Sequence, residues 1–176
     1  MKLFTRKAPR AELPPAVANA LDLAKGEKVL AFAVDDFTSA YVVATTYALA
    51  IVTPAAERTV RRRWLSVDAG AWEPETATLT VTWADGRRAG QWSFRDQPTL
   101  LPEVLRERVQ ASVVLSTRLA LGDRRTGRVA IRQDFATREL IAQTILGRHA
   151  RADDPEVQAH VGAALAHLRD QVGLPG

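Results

Sequence analysis

The sequence predicts an α+β fold built on a strongly bent antiparallel sheet, or barrel, of about six strands that is capped by a C-terminal helix. Two observations carry this prediction. Between Val29 and Phe94 the apolar residues recur with a period of two, which is typical of strands with one buried face. From Leu101 the period changes to 3.6, which is typical of an amphipathic helix. A further hairpin and helix are predicted beyond Gly122.

Turn residues and apolar runs divide the first part of the chain into short strands. TATLTVTW is the clearest, with Leu79, Val81 and Trp83 on one face and threonines on the other. Asp85-Gly86 then predicts a tight turn, and Trp92 on the returning strand is expected to join Trp83 in the core. The predicted strands are Val29–Val34, Tyr41–Thr46, Ala48–Thr53, Arg61–Trp72, Thr76–Trp83 and Gly90–Phe94.

Helices are predicted on both sides of this strand region. Pro15 suits the first turn of a short helix that Gly26 ends, and residues 1–12 before it are expected to form a flexible basic arm. Leu101–Ser116 is predicted to be the capping helix, with an apolar arc that includes Val113 and Leu115. Residues 13–121 are therefore interpreted as one domain.

Residues 122–176 are predicted to be an extension packed on the same domain. Its hairpin joins Arg128–Asp134 to Leu140–Leu146, although residues 137–146 fit a helix capped by Thr137 equally well. Asp153-Asp154-Pro155 predicts the start of a last helix. The apolar stripe of this 154–172 helix either packs on the body of the protein or forms a homodimer face.

Composition excludes some functions and leaves others open. The chain has 176 residues, a net charge of +4 and no cysteine, so disulfides, thiolate nucleophiles and sulfur-ligated metals are excluded. No signal peptide is evident, and the most apolar run, residues 41–52, is shorter than the roughly twenty residues of a spanning helix. No transmembrane segment and a cytoplasmic location are the expectation.

Six antiparallel strands followed by one helix resemble pleckstrin-homology-like (PH-like) domains, including bacterial ones. The phrases VVATTYALAIVTP and LPEVLRERVQASVVLS carry the resemblance, which extends to a family of PH-like proteins from GC-rich bacteria. It implies a non-catalytic binding or adaptor module that acts through a protein partner. The loop Asp35–Ser39 is acidic where phosphoinositide-binding members carry basic residues, so phosphoinositide binding is not favoured.

The densest basic cluster is the one candidate for a nucleic-acid interface. Its arginines could hold phosphates while a tryptophan stacks on a base, which would make the chain an RNA- or ribosome-associated protein. The favoured alternative is a charged strand edge that discourages aggregation, because strand alternation sends Arg62 to the face opposite its neighbours. The residues concerned are Arg58, Arg61, Arg62, Arg63 and Trp64, with Arg87 and Arg88 on a later turn.

Trp64 and Trp72 are predicted to share one strand face with Asp68 and Gly70, where Gly70 marks a bulge. They are either an interface for a protein partner or core residues under a helix, and the sequence leaves both open.

No motif indicates catalysis or a cofactor. His160 and His167 lie about 10 Å apart along a helix axis, too far to share a metal ion. The sequence therefore predicts no catalytic residue, no metal site, no cofactor and no enzymatic activity.

Overall fold

The structure is a computed structural model that describes residues 12–122, 124–147 and 149–174. Most of the predicted basic arm, residues 1–11, lies outside the described residues. The chain combines helices with antiparallel strands, which confirms the α+β class. The elements in chain order are α1 (Pro15–Ala20), β1 (Val29–Val34), β2 (Tyr41–Thr45), β3 (Ala48–Val52), β4 (Thr59–Arg63), β5 (Val67–Glu73), β6 (Thr78–Trp83), β7 (Gly90–Ser93), α2 (Leu101–Ser112), β8 (Val113–Arg118), β9 (Gly127–Gln133), β10 (Leu140–Leu146) and α3 (Pro155–Val172).

The first seven strands form two antiparallel sheets that share one core. Their orders are β1-β2-β3-β4 and β5-β6-β7. Helix α2 contacts β1 and β2 of the first sheet and β5 of the second. Leu49, Trp83 and Leu105 belong to one buried cluster that draws on both sheets and on α2. Among the described strands the sheets do not close, so the predicted barrel is wrong.

The predicted strand Arg61–Trp72 is two strands separated by a corner. A 3₁₀ turn at Trp64–Ser66 ends β4 and directs the chain into the second sheet as β5. At this corner the Trp64 side chain enters the shared core, where it is 1% exposed. Its Nε1 donates a hydrogen bond to the carbonyl oxygen of Thr45 at 2.9 Å. Strand alternation does not continue through the turn, so Trp64 belongs to the corner and not to the strand that carries Trp72, which lies on β5 opposite the buried Leu79.

The bulge in β5 lies before Gly70, between Val67 and Ala69. It shifts the alternation by one residue, so Val67 is buried whereas Ala69 and Ala71 are exposed. Gly70 is not part of the bulge. Its missing side chain makes room for α2, because a Cβ atom at this position would overlap with Cδ2 of the buried Leu105. Glycine at this position lets α2 approach the sheet closely.

Helix α2 ends at Ser112, four residues before the predicted end. Val113 and Leu115 therefore do not lie on its apolar arc; they belong to β8, which pairs with β9. The Ser112 hydroxyl donates to the Val109 carbonyl oxygen at 2.6 Å and accepts from Arg132 of β9. Valine favours strands, and β9 supplies the hydrogen bonds that make the residues after Ser112 a strand instead of a continuation of the helix.

The predicted C-terminal hairpin is part of a third sheet with the order β10-β9-β8. Residues 140–146 form strand β10, which decides between the two alternatives. Helix α3 starts at Pro155 as predicted and packs on this sheet, where Val157 and Leu168 are buried with Val129 and Ile131. The apolar stripe of α3 is thus covered within the chain, and the homodimer through this helix stays a prediction.

The N-terminal helix is shorter than predicted. It begins at Pro15 but ends at Ala20 instead of reaching Gly26. Asp22 adopts a left-handed φ of 45°, which helical residues cannot have. Val17 and Leu21 are buried against Val43 and Val52 of the first sheet. None of the helices in the described ranges is both long and apolar enough to span a membrane.

Candidate functional site

The arginines of β4 point in three directions. Arg61 turns toward α1 and forms an ion pair with Glu27 at 2.5 Å, and it also donates to the carbonyl oxygens of Leu21 and Asp22. The carboxylate of Glu27 has no exposed surface. Burial by itself raises the pKa of Glu27, but hydrogen bonds from Thr45, from Arg61 and from the Ala24 amide outweigh burial and lower it.

Arg62 and Arg87 are brought together by a shared acid. Arg62 Nη1 and Arg87 Nε lie 3.1 and 3.2 Å from the same oxygen of Asp85. The guanidinium of Arg62 also lies 4.4 Å from the centroid of the Trp83 ring, which is a cation–π contact. These contacts fix the β6–β7 turn against β4.

Arg63 forms an ion pair with the buried Asp134, so it connects β4 to the C-terminal sheet. Arg58 and Arg88 make no ion pair within the described part of the chain. Three of the four clustered arginines thus hold elements of this chain together. The RNA-binding alternative stays a prediction.

Trp72 lies on the rim of the second sheet. It is 36% exposed, and its ring stacks on Phe94 with centroids 6.4 Å apart. Trp83 is buried as predicted, whereas Trp92 is only partly buried against the same core. The sequence allowed either Trp64 or Trp72 to belong to an interface; of these two residues only Trp72 reaches the surface.

A groove of about 450 Å³ lies beside Trp72 on the outer face of the second sheet. A row of small polar side chains, including Thr78, Thr80 and Gln91, lines its floor. Phe37 stands at its edge with 76% of its surface exposed, and the guanidinium of Arg95 lies 5.9 Å from the Phe37 ring. Sequence reasoning did not select Phe37, although an aromatic residue within the polar loop Asp35–Ser39 was the available signal.

The loop Asp35–Ser39 holds Phe37 in place. Asp35 is buried, and one carboxylate oxygen accepts from the Ser93 amide while the other accepts from the amide and hydroxyl of Thr38. The Asp36 carboxylate accepts from the Arg95 amide at 2.9 Å. The acidic residues of this loop therefore join the first sheet to β7.

The edge strand beside the groove is exposed. β5 pairs with β6 alone among the described strands, and its residues from Ala69 to Glu73 are all exposed. By contrast, the β1 edge of the first sheet is covered: the side-chain amide of Gln97 both donates to and accepts from the Val34 backbone, and the Thr99 hydroxyl donates to the Phe32 carbonyl oxygen. An unprotected edge strand is a template for pairing with another chain.

The histidines do not converge. His160 Nδ1 lies 2.8 Å from the Glu156 carbonyl oxygen of the same helix, and His167 Nε2 contacts Gln171. Among the described residues no group of three histidine or acidic side chains is arranged to hold a metal ion.

Comparison with known proteins adds no assignment: the chain matches no protein-family model, no curated protein and no solved structure.

Proposed function

We propose that this chain is a non-catalytic, PH-like protein-interaction module that binds an extended segment of a partner protein along the free edge of β5. The observation that carries the proposal is the exposed run Ala69–Glu73 beside a groove that Phe37 and Trp72 border. The proposal places the module in the cytoplasm.

Backbone pairing at β5 would supply affinity without regard to partner sequence. A peptide that adds a strand to a sheet edge gains main-chain hydrogen bonds, and alternate side chains reach pockets on the two faces. Ala69, Gly70 and Ala71 have little or no side chain, so they leave room for an approaching backbone.

The groove would supply specificity. Ala71 pairs with Thr80 and Glu73 with Thr78, so these residues face the groove, and every second side chain of an added strand would lie over it. Exposed aromatic rings and arginine are enriched in protein interfaces, and Phe37, Trp72 and Arg95 stand together here. We therefore expect an aromatic or aliphatic partner residue between the two rings.

The order of elements supports the PH-like part of the proposal. A four-stranded sheet, a three-stranded sheet and a helix that packs across both follow one another along the chain. The sequence resemblance rests on the same order, antiparallel strands followed by one helix, with six strands expected where the structure has seven. Protein binding then follows by analogy of fold, and the edge of β5 is the surface on which we expect it.

The test uses peptides selected from a random library on the full chain. The best peptide is titrated into the wild type and into Trp72→Ala and Phe37→Ala variants, each of which we expect to weaken binding by roughly tenfold. Leu100→Ala is the control, because Leu100 is exposed but does not line the groove.

Hydrogen exchange locates the bound peptide. Amides of Ala69–Glu73 should gain protection, and methylation of alternate peptide nitrogens should abolish binding. Protection elsewhere, or equal affinities for all variants, would reject the β5 edge. Tight RNA binding that falls steeply with salt and is lost when Arg58 and Arg88 are replaced by alanine would favour the alternative function instead.

A further inference from the structure

We propose a second, independent binding site, on the inner face of the C-terminal sheet, that takes a small organic phosphate monoester. The site is a cleft of about 410 Å³, a volume in the range of small-molecule sites. Its cationic lining residues are Arg118, Arg128 and Arg132, and Ser116 lies among them.

Sheet register places these side chains on one face. Arg118 of β8 lies directly opposite Arg128 of β9, and Ser116 lies opposite Ala130. Arg132 follows Arg128 at a spacing of four, so it faces the same way. On the other face of β9, Val129 and Ile131 pack under α3. The cleft therefore lies on the side of the sheet that looks toward β5.

Two like charges directly opposite each other destabilise a strand pair, so the Arg118–Arg128 pair needs a compensating charge. Arg128 has one: its guanidinium binds Asp68 on the β5 bulge. Arg118 is exposed, and its side chain makes no ion pair or hydrogen bond among the described residues. An anion between the two guanidiniums would provide the missing compensation.

Arg132 adds a buried charge to the floor of the cleft. Its side chain is 1% exposed, and its five hydrogen bonds go to neutral oxygens of Ser112, Trp64, Leu65 and Val67. Burial lowers the pKa of Arg132 to about 10, and the nearby Arg128 adds to this, while Asp68 opposes it. The side chain stays charged at neutral pH without a carboxylate in contact.

Charge and shape together select the ligand class. The three arginines carry three positive charges and Asp68 carries one negative charge, so the net charge at the cleft is +2. A phosphate monoester carries a charge of about −1.5 to −2 at pH 7. Planar guanidinium groups and a serine hydroxyl suit phosphate oxygens, which outnumber those of a carboxylate. Val113 and Ile145 form apolar walls for the organic part of the ligand.

Calorimetric titration of the full chain tests the site with phenyl phosphate, inorganic phosphate and benzoate. Phenyl phosphate should bind most tightly, and its affinity should fall from pH 7 to pH 5 because the second phosphate pKa is about 6. Arg118→Gln should weaken binding by roughly tenfold, the loss expected for one charge-assisted contact. Arg88→Gln is the control, since it removes the same charge from an exposed residue outside the cleft.

Equal losses in the Arg118 and Arg88 variants would overturn the site, as would benzoate binding as tightly as phenyl phosphate. If inorganic phosphate binds as tightly as phenyl phosphate, the organic group contributes nothing and the assignment of an organic phosphate is overturned. A phosphoserine peptide that binds more tightly than phenyl phosphate would overturn the small-molecule assignment. Thermal unfolding of the Arg118 variant separates lost binding from lost structure; its midpoint should be equal to or slightly above that of the wild type, because one of two opposed like charges is removed.

Discussion

The guanidinium of Arg132 donates a hydrogen bond to the carbonyl oxygen of Val67 at 2.7 Å, and this bond joins the C-terminal sheet to the start of β5. The same side chain binds the carbonyl oxygens of Trp64 and Leu65 and the hydroxyl of Ser112. Arg132 of β9 thus binds both the corner between the first two sheets, at Trp64–Val67, and Ser112, the last residue of α2.

We expect Arg132→Met to be strongly destabilising. The substitution fills similar space but leaves buried carbonyl oxygens without donors, each at a cost of about 1–3 kcal/mol. The free energy of unfolding should fall by about 3 kcal/mol or more, as measured by urea titration. Arg88→Met, at an exposed residue, should change it little. A loss for Arg132→Met no larger than that of the control would refute the central role of this side chain.

Glu27 should make stability depend on acid pH. Its pKa in the folded protein is below the ordinary value of 4.5, so the folded state binds fewer protons than the unfolded state as pH falls. The stability that Glu27 contributes is therefore complete well above pH 4.5 and is lost as pH falls through the lowered pKa. Glu27→Gln should be less stable at pH 7 by about 1–3 kcal/mol. Between pH 7 and pH 3 it should lose less stability than the wild type. Parallel curves of stability against pH would contradict the assignment.

Two glycine substitutions should act in opposite directions. Gly70→Ala places a methyl group into Leu105 and should cost about 1–3 kcal/mol. Gly162 lies on the exposed side of α3, with open space where a Cβ atom would be. Gly162→Ala should therefore stabilise the folded protein by about 0.5–1 kcal/mol. Denaturant titration of both variants measures the difference. Adding Leu105→Ala to Gly70→Ala should cost less than the sum of the single changes, and strict additivity would exclude the close contact.

The two aspartates before α3 should differ in importance. Asp154 is the N-cap, and its side chain accepts from the Glu156 amide at 2.9 Å. Asp154→Ala should therefore cost about 1 kcal/mol. Asp153 makes only an exposed ion pair with Arg151, so Asp153→Ala should have little effect. Thermal unfolding compares the two, and equal losses would show that the cap geometry is not what stabilises the helix start.

The sequence by itself determined the elements whose cause is local. Alternation with a period of two located β6, and Asp85-Gly86 located the turn that follows it. The Asp154-Pro155 start and the Gly173 end of α3 follow from capping preferences, and Gly173 takes the left-handed φ of 69° that suits glycine. Such features depend on neighbours within a few residues, so a sequence pattern is sufficient to predict them.

Only the tertiary structure decided the features whose partners are distant in sequence. Trp64 leaves its strand because the corner between two sheets accepts its ring, and α2 ends at Ser112 because β9 offers pairing to the residues beyond. The arginines of β4 looked like a surface cluster, yet Glu27, Asp85 and Asp134 compensate three of them from distant parts of the chain. The cleft beside Arg132 likewise exists only once β8 and β9 pair, because sheet register alone sets Arg118 opposite Arg128.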